Sequence, residues 1–153
     1  MESRIKLGIV VAEFNWPITA KMLDQALKHA TELNAKPTYV CKVPGAYDMP
    51  LMIQMLLEKN DVDAVVTLGA IVKGETGHDQ VIANALASKA SDLSLHYKKP
   101  VTLGVSGPSM TWDQAAERAE EYANRSVESA VKMVRLSQET LKTSERIYEV
   151  GLQ

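Results

Sequence analysis

The nine residues AVVTLGAIV (64–72) carry one hydroxyl and otherwise only apolar side chains or glycine. Such a run has no polar face to turn toward water, so both of its faces must be covered, as in a strand inside a parallel sheet. IKLGIVVAEF (5–14) is a second run of this kind, and PTYVCKV (37–43) and PVTLGVS (100–106) are shorter ones bounded by proline or glycine. Parallel strands cannot be joined by tight hairpins; the chain between them must cross over, usually as a helix. The intervening segments have that spacing. In 17–33, Pro17 stands at a first-turn position, and Met22, Leu23, Ala26, Leu27, Ala30 and Leu33 form one apolar stripe. Residues 48–58 and 79–97 read as helices in the same way, and Thr111 opens a capping box, TWDQ, for a helix with no glycine or proline to stop it before about residue 142. The expected architecture is α/β: a three-layer sandwich with a four-stranded parallel sheet, flavodoxin-like and doubly wound with right-handed crossovers.

A chain of 153 residues is long enough to bury roughly 70% of the surface its unfolded form exposes, so residues 1–153 are expected to form one domain. The polar stretch from about 137 to 153 is read as a frayed extension or a partner-contacting tail. With 17 basic and 19 acidic side chains there is no sequence-wide basic field for nucleic acid, and the expected partner is a small molecule. A single cysteine, Cys41, excludes an internal disulfide, and no N-terminal apolar run suits a secretory signal or a membrane span. Both point to the cytoplasm.

In an open parallel sheet, ligands bind beyond the carboxyl ends of the strands. Four segments follow those ends: EFNWPIT (13–19), VPGAYDMP (43–50), GAIVKGETGHD (69–79) and SGPSMT (106–111). In the third, Gly74 and Gly77 leave the backbone unencumbered and Thr76 precedes a helix start, an arrangement suited to a phosphate or carboxylate as well as to an ordinary turn. His78 reads equally as an exposed cap or as a proton carrier at the mouth of the sheet, whereas His29 falls on the polar side of the first helix and His96 near a helix C-terminus. Phe14, the only phenylalanine, suits either the core or a stack on a planar heterocycle, with Asn15 beside it for hydrogen bonding. Pro44-Gly45 makes a sharp turn before Ala46, Tyr47 and Asp48; Asp48 suits either a helix N-cap or a ligand contact.

Taken together, AEFN, VPGAYDMPL, LGAIVKGETGHD and TWDQAAERA, in this order and at these separations, resemble the lumazine synthase family, most closely its archaeal members, over about residues 5–135. The resemblance implies condensation of 5-amino-6-(D-ribitylamino)uracil with 3,4-dihydroxy-2-butanone 4-phosphate to 6,7-dimethyl-8-ribityllumazine, with release of phosphate and water, in riboflavin biosynthesis. It implies no metal or organic cofactor. It assigns Phe14, Asn15, Ala46 and Tyr47 to the pyrimidine, Asp48 to the ribityl hydroxyls, and the main chain of Ala70, Ile71 and Val72 to the heterocycle. Gly74, Glu75, Thr76 and Arg118 would cradle the phosphate, and His78 would shuttle protons.

The chain departs from the family pattern in four places. Asp48 stands where many members have Glu, and Glu75 where many have a small residue. Leu103 stands where many have an aromatic ring supplied by a neighbouring subunit, and Arg125 fits an expected second phosphate cation only with a one-residue gap. The resemblance implies sites shared between adjacent subunits of a homopentamer. Decamers and hollow icosahedral shells of twelve pentamers occur in the family, but RAEEYANRS (118–126) lacks the glycine of many shell formers, which favours the pentamer. Rival readings are an archaeal-type riboflavin synthase, a non-catalytic flavin- or lumazine-binding shell protein, and a flavodoxin-like module with another phosphorylated ligand. The GETGHD loop is of the phosphate-binding type and weighs against the first.

Overall fold

The computed structural model describes residues 3–142. Four strands, β1 (Lys6–Ala12), β2 (Lys36–Val43), β3 (Ala64–Val72) and β4 (Val101–Met110), form one parallel sheet in the order β2-β1-β3-β4. The helices are α1 (Trp16–Glu32), α2 (Met49–Leu57), α3 (His78–Tyr97), α4 (Trp112–Glu117) and α5 (Ala119–Lys142), with a 3-10 turn at Ala46–Asp48 before α2. The order follows from burial. β1 and β3 hold the two longest apolar runs and occupy the centre, where neither face nor edge meets water.

Alternation along the strands makes two cores. Leu7, Ile9, Val11, Val66, Leu68 and Ala70 pack with Met22 and Ala26 of α1 and with Ala123, Val127 and Ala130 of α5. Val10, Ala12 and Val65 pack on the other face with Met49 and Ile53 of α2 and Leu86 of α3. The sandwich read from the sequence is therefore the one that forms. A side chain on Gly104 would collide with the Thr67 carbonyl and with Ser126, so glycine there lets β4 lie close to both β3 and α5. Among the described residues no helix is long and apolar enough to cross a membrane.

The structure departs from the sequence reading in two elements. β4 runs on to Met110, through the stretch expected to be a loop, because Val72 pairs with Met110 after a register shift and Gly107 (φ +102°) lets the chain pass close over Ile71. The helix expected from Thr111 to about 142 is two helices. Thr111 caps the first as foreseen, with Gln114 N–H donating to its hydroxyl at 3.2 Å. Arg118 (φ −100°, ψ 5°) then leaves helical geometry before α5 begins. No glycine or proline marks this break. It falls where the chain passes from packing on the strand ends to packing along α1. Residues 137–142, expected in a tail, belong to α5; the remainder of that expectation lies outside the described residues.

Candidate active site

The carboxyl ends of β1, β2 and β3 are laced together by main chain. Glu13 N–H donates to the Val43 carbonyl (2.7 Å) and Phe14 N–H to that of Pro44 (3.0 Å). Asn15 adopts the left-handed conformation (φ 63°, ψ 41°), which asparagine tolerates better than most residues. Its Nδ2 reaches across to donate to the Ala70 carbonyl at 2.8 Å. The backbone turn and the amide together fix the entry into α1, where Pro17 needs no N–H partner in the first turn.

Phe14 itself is 72% exposed and Tyr47 66%. A phenylalanine that adds nothing to the core, held on a main-chain brace at a strand end, is a surface waiting for a flat apolar partner. Asp48 turns back on its own loop, its Oδ2 accepting Gly45 N–H at 3.0 Å; it closes the 3-10 turn and does not cap α2. Ala70 and Ile71 are buried.

The loop after β3 is held at its base, where Lys73 N–H donates to the Met110 carbonyl (2.7 Å). Beyond that, Gly74, Glu75, Thr76 and Gly77 are all exposed, and their amides donate to no described residue. Free amides leading into a helix N-terminus favour an anion. Glu75 forms no ion pair with Lys73 or with any other described residue. His78, the first residue of α3, is exposed, and its neighbour Asp79 is 6% exposed, its Oδ2 accepting Ser109 N–H at 2.8 Å. Nothing in the sequence marks this pair. An acid in a first helical turn is ordinary, and nothing local signals that this one faces inward to a backbone amide thirty residues on.

One end of the sheet thus gathers Phe14, Asn15, Ala46, Tyr47, Asp48, Ala70, Ile71, Val72, Gly74, Glu75, Thr76 and His78. It does not gather all the residues singled out from the sequence. Leu103 is 45% exposed on β4, the outer strand of the sheet. With Arg125, Tyr122 and Ser126 it lines a separate depression of about 390 Å³. Arg125 is paired with Glu121 of its own helix at 3.3 Å. Arg118, at the break between α4 and α5, is exposed and makes no ion pair or side-chain hydrogen bond among the described residues. A depression of about 920 Å³ lies at the opposite end of the sheet, between Arg4, Lys6 and Asp63 and the Lys132, Arg135 face of α5. It is remote from the strand-end loops, so size alone is a poor guide to the site.

A model of the 6,7-dimethyl-8-ribityllumazine synthase family matches residues 4–138. The chain is 56% identical over 146 residues to the 6,7-dimethyl-8-ribityllumazine synthase of Metallosphaera sedula, an alignment covering 95% of this chain and 97% of that one. It is 59% identical over 133 residues to the protein of the same name from Saccharolobus islandicus, with 87% and 86% covered. To that from Saccharolobus solfataricus it is 58% identical over 133 residues, with the same coverage.

Proposed function

This chain belongs to the 6,7-dimethyl-8-ribityllumazine synthase family, a family of transferase-type enzymes, and from that premise we propose how its residues divide the reaction among themselves. The reaction joins 5-amino-6-(D-ribitylamino)uracil to 3,4-dihydroxy-2-butanone 4-phosphate. The amine and the ketone form an imine with loss of water, phosphate leaves by elimination, and ring closure expels a second water to give 6,7-dimethyl-8-ribityllumazine. None of these steps needs an oxidant.

Phe14 stacks on the pyrimidine. Asn15, with Ala46 and Tyr47, walls it, and the main chain of Ala70, Ile71 and Val72 reads its polar edge. Asp48 accepts from ribityl hydroxyls with the oxygen not engaged by Gly45. The amides of Gly74, Glu75 and Thr76, the Thr76 hydroxyl and a guanidinium from Arg118 hold the phosphate; a planar fork matches phosphate oxygens two at a time. His78 stands at the edge of this cradle, free of protein partners, and carries protons between the imine nitrogen, the leaving phosphate and water. Much of the acceleration comes from holding two substrates in register, with effective molarities on the order of 10⁵ M or more available to well-oriented pairs.

The observation that carries the assignment is the 72% exposure of Phe14 at the same sheet end as the open glycine loop. The test mixes purified protein with both substrates and follows phosphate and lumazine together. Matched formation of both is expected. A protein that forms neither from these substrates but converts separately supplied lumazine to riboflavin would instead be a riboflavin synthase, a reading the named relatives do not favour.

We further propose that the working form is a homopentamer with each site shared between neighbours. One chain leaves Leu103 and Arg125 in a depression separate from the loop they would serve, and among the described residues β4 has no strand on its outer side. A neighbour's copies of Leu103, Arg118 and Arg125 would complete each site, the leucine giving apolar contact without stacking. Native mass measurement, with activity followed on dilution, checks this: activity should fall with the pentamer population.

A further inference from the structure

Among the described residues, one side-chain hydrogen bond joins the start of α3 to the end of β4: that from Ser109 N–H to Asp79 Oδ2, at 2.8 Å. Its donor lies in the left-handed conformation (φ 62°). Its acceptor, 6% exposed, is surrounded by protein although it lies only two residues beyond the exposed Gly77. A carboxylate this close to an anion cradle would repel the anion if it swung outward. Turned inward and bonded, it favours the N-terminus of its own helix and sets where that helix begins relative to the strand.

His78 and Asp79 are consecutive in the first turn of α3, one exposed and one buried. Because helical geometry fixes the angle between neighbouring side chains, anchoring the second settles the direction of the first. Among the described residues the amides of Gly74 to Gly77 donate no hydrogen bond, and the Gly77 carbonyl accepts only Val81 N–H of α3 itself (3.3 Å), so the loop is held from its two ends, Lys73 N–H on the Met110 carbonyl and Asp79 on Ser109. Both anchors sit on the last residues of β4. We propose that Asp79 is a positioning residue: it clamps α3 to the end of β4 so that the loop amides and His78 are already placed for the phosphorylated substrate. The inference rests on the reading of that loop as the phosphate cradle.

The test compares Asp79→Ala, Asp79→Asn and Asp79→Glu in the full chain, measuring KM for each substrate and inhibition by inorganic phosphate. Asparagine keeps a side-chain oxygen able to accept from Ser109 N–H and is expected to stay within about twofold of the parent. Alanine should raise KM for the butanone phosphate roughly tenfold, the scale of one lost hydrogen bond, with the inhibition constant of phosphate rising in step and KM for the pyrimidine unchanged. If the alanine variant does not fold, the glutamate variant carries the comparison. It keeps charge and acceptor but displaces the clamp by one methylene, so the same one-sided rise in KM is expected. Equal rises for both substrates, or an asparagine variant as impaired as alanine, would overturn the proposal in favour of a purely structural role. Phosphate that competes in the parent but is unaffected by the clamp variants would remove the clamp alone; phosphate that fails to compete even in the parent would remove the cradle reading and the clamp with it.

Discussion

At the amino ends of the strands, Lys99 Nζ donates to the carbonyls of Leu57 and Lys59 at 2.9 Å each, and Tyr39 Oη donates to the Asp61 carboxylate. There Lys6 and Asp63 also exchange reciprocal hydrogen bonds of 2.7 Å. His29, its side chain only 15% exposed, stands between Glu32 (3.1 Å) and Glu128 (2.8 Å) and joins α1 to α5. At the carboxyl ends, the side chains of Phe14, Tyr47, Thr76, His78 and Arg118 are exposed and make no such bonds among the described residues. Asn15, Asp48 and Asp79 apart, the polar side chains named at the carboxyl end are left over, whereas those named at the amino end are used by the fold. Groups left over contribute little to stability, and they are the ones free to meet a ligand.

From this contrast, substitutions at the carboxyl end should change kinetics without changing melting, and those at the amino end should do the reverse. The largest effect is expected at His78: His78→Ala lowers kcat by about 10²-fold at most with thermal unfolding unchanged, and a complete loss of turnover in a folded, assembled variant would mean that proton transfer governs the reaction. Arg118→Ala should raise KM for the phosphorylated substrate by roughly 10- to 100-fold, the scale of a charge-assisted contact, and an unchanged KM would remove Arg118 from the phosphate site. At the other end, Lys99→Ala strips the carbonyls of Leu57, the last residue of α2, and of Lys59 just beyond it of their donor and should cost about 1–2 kcal/mol in denaturant unfolding, with kcat and KM intact. Phe14→Ala should weaken pyrimidine binding only about threefold to tenfold and leave stability alone; a marked drop in melting temperature would mean that the ring packs after all.

The smallest effect depends on pH. Burial opposes the His29 imidazolium, but the hydrogen bonds to Glu32 and Glu128 and their charges outweigh it and hold its pKa above the ordinary 6.5. A group whose pKa rises on folding stabilises the fold while it is protonated. Its contribution is complete below 6.5 and is lost as pH climbs through the raised folded value. With both glutamates half-exposed, the difference between parent and His29→Gln should be under about 1 kcal/mol near pH 5.5 and smaller near pH 8.5. Melting curves at the two pH values check it, and activity should not follow.

The sequence spells out β3 residue for residue, Ala64–Val72, because covering both faces of a strand excludes polar side chains and leaves an unbroken signal. It conceals the end of β4, since Gly107 and Pro108 read as punctuation while the pairing that overrides them comes from β3. The break at Arg118 leaves no local trace because packing on α1 decides it. His29 looks like a solvent-side residue for a similar reason: its second partner, Glu128, lies 99 positions away. The strand-end loops were legible because parallel strands point them all to one place. The Asp79 clamp was not, its acceptor and donor being ordinary residues whose meaning comes only from their meeting.

Gly104 and the pair Gly74 and Gly77 stand at opposite extremes of tolerance to evolutionary drift. A Cβ on Gly104 would lie 2.5 Å from the Thr67 carbonyl oxygen and 2.9 Å from the Cβ of Ser126. Every other residue carries a Cβ, so variants at this position are purged by folding before any substrate tests them. At Gly74 and Gly77 the added carbon meets nothing within 4 Å, and a variant arrives folded, to be judged by the ligand alone. A lineage of this chain can therefore revise what its loop accepts while the distance between β4 and α5 stays frozen.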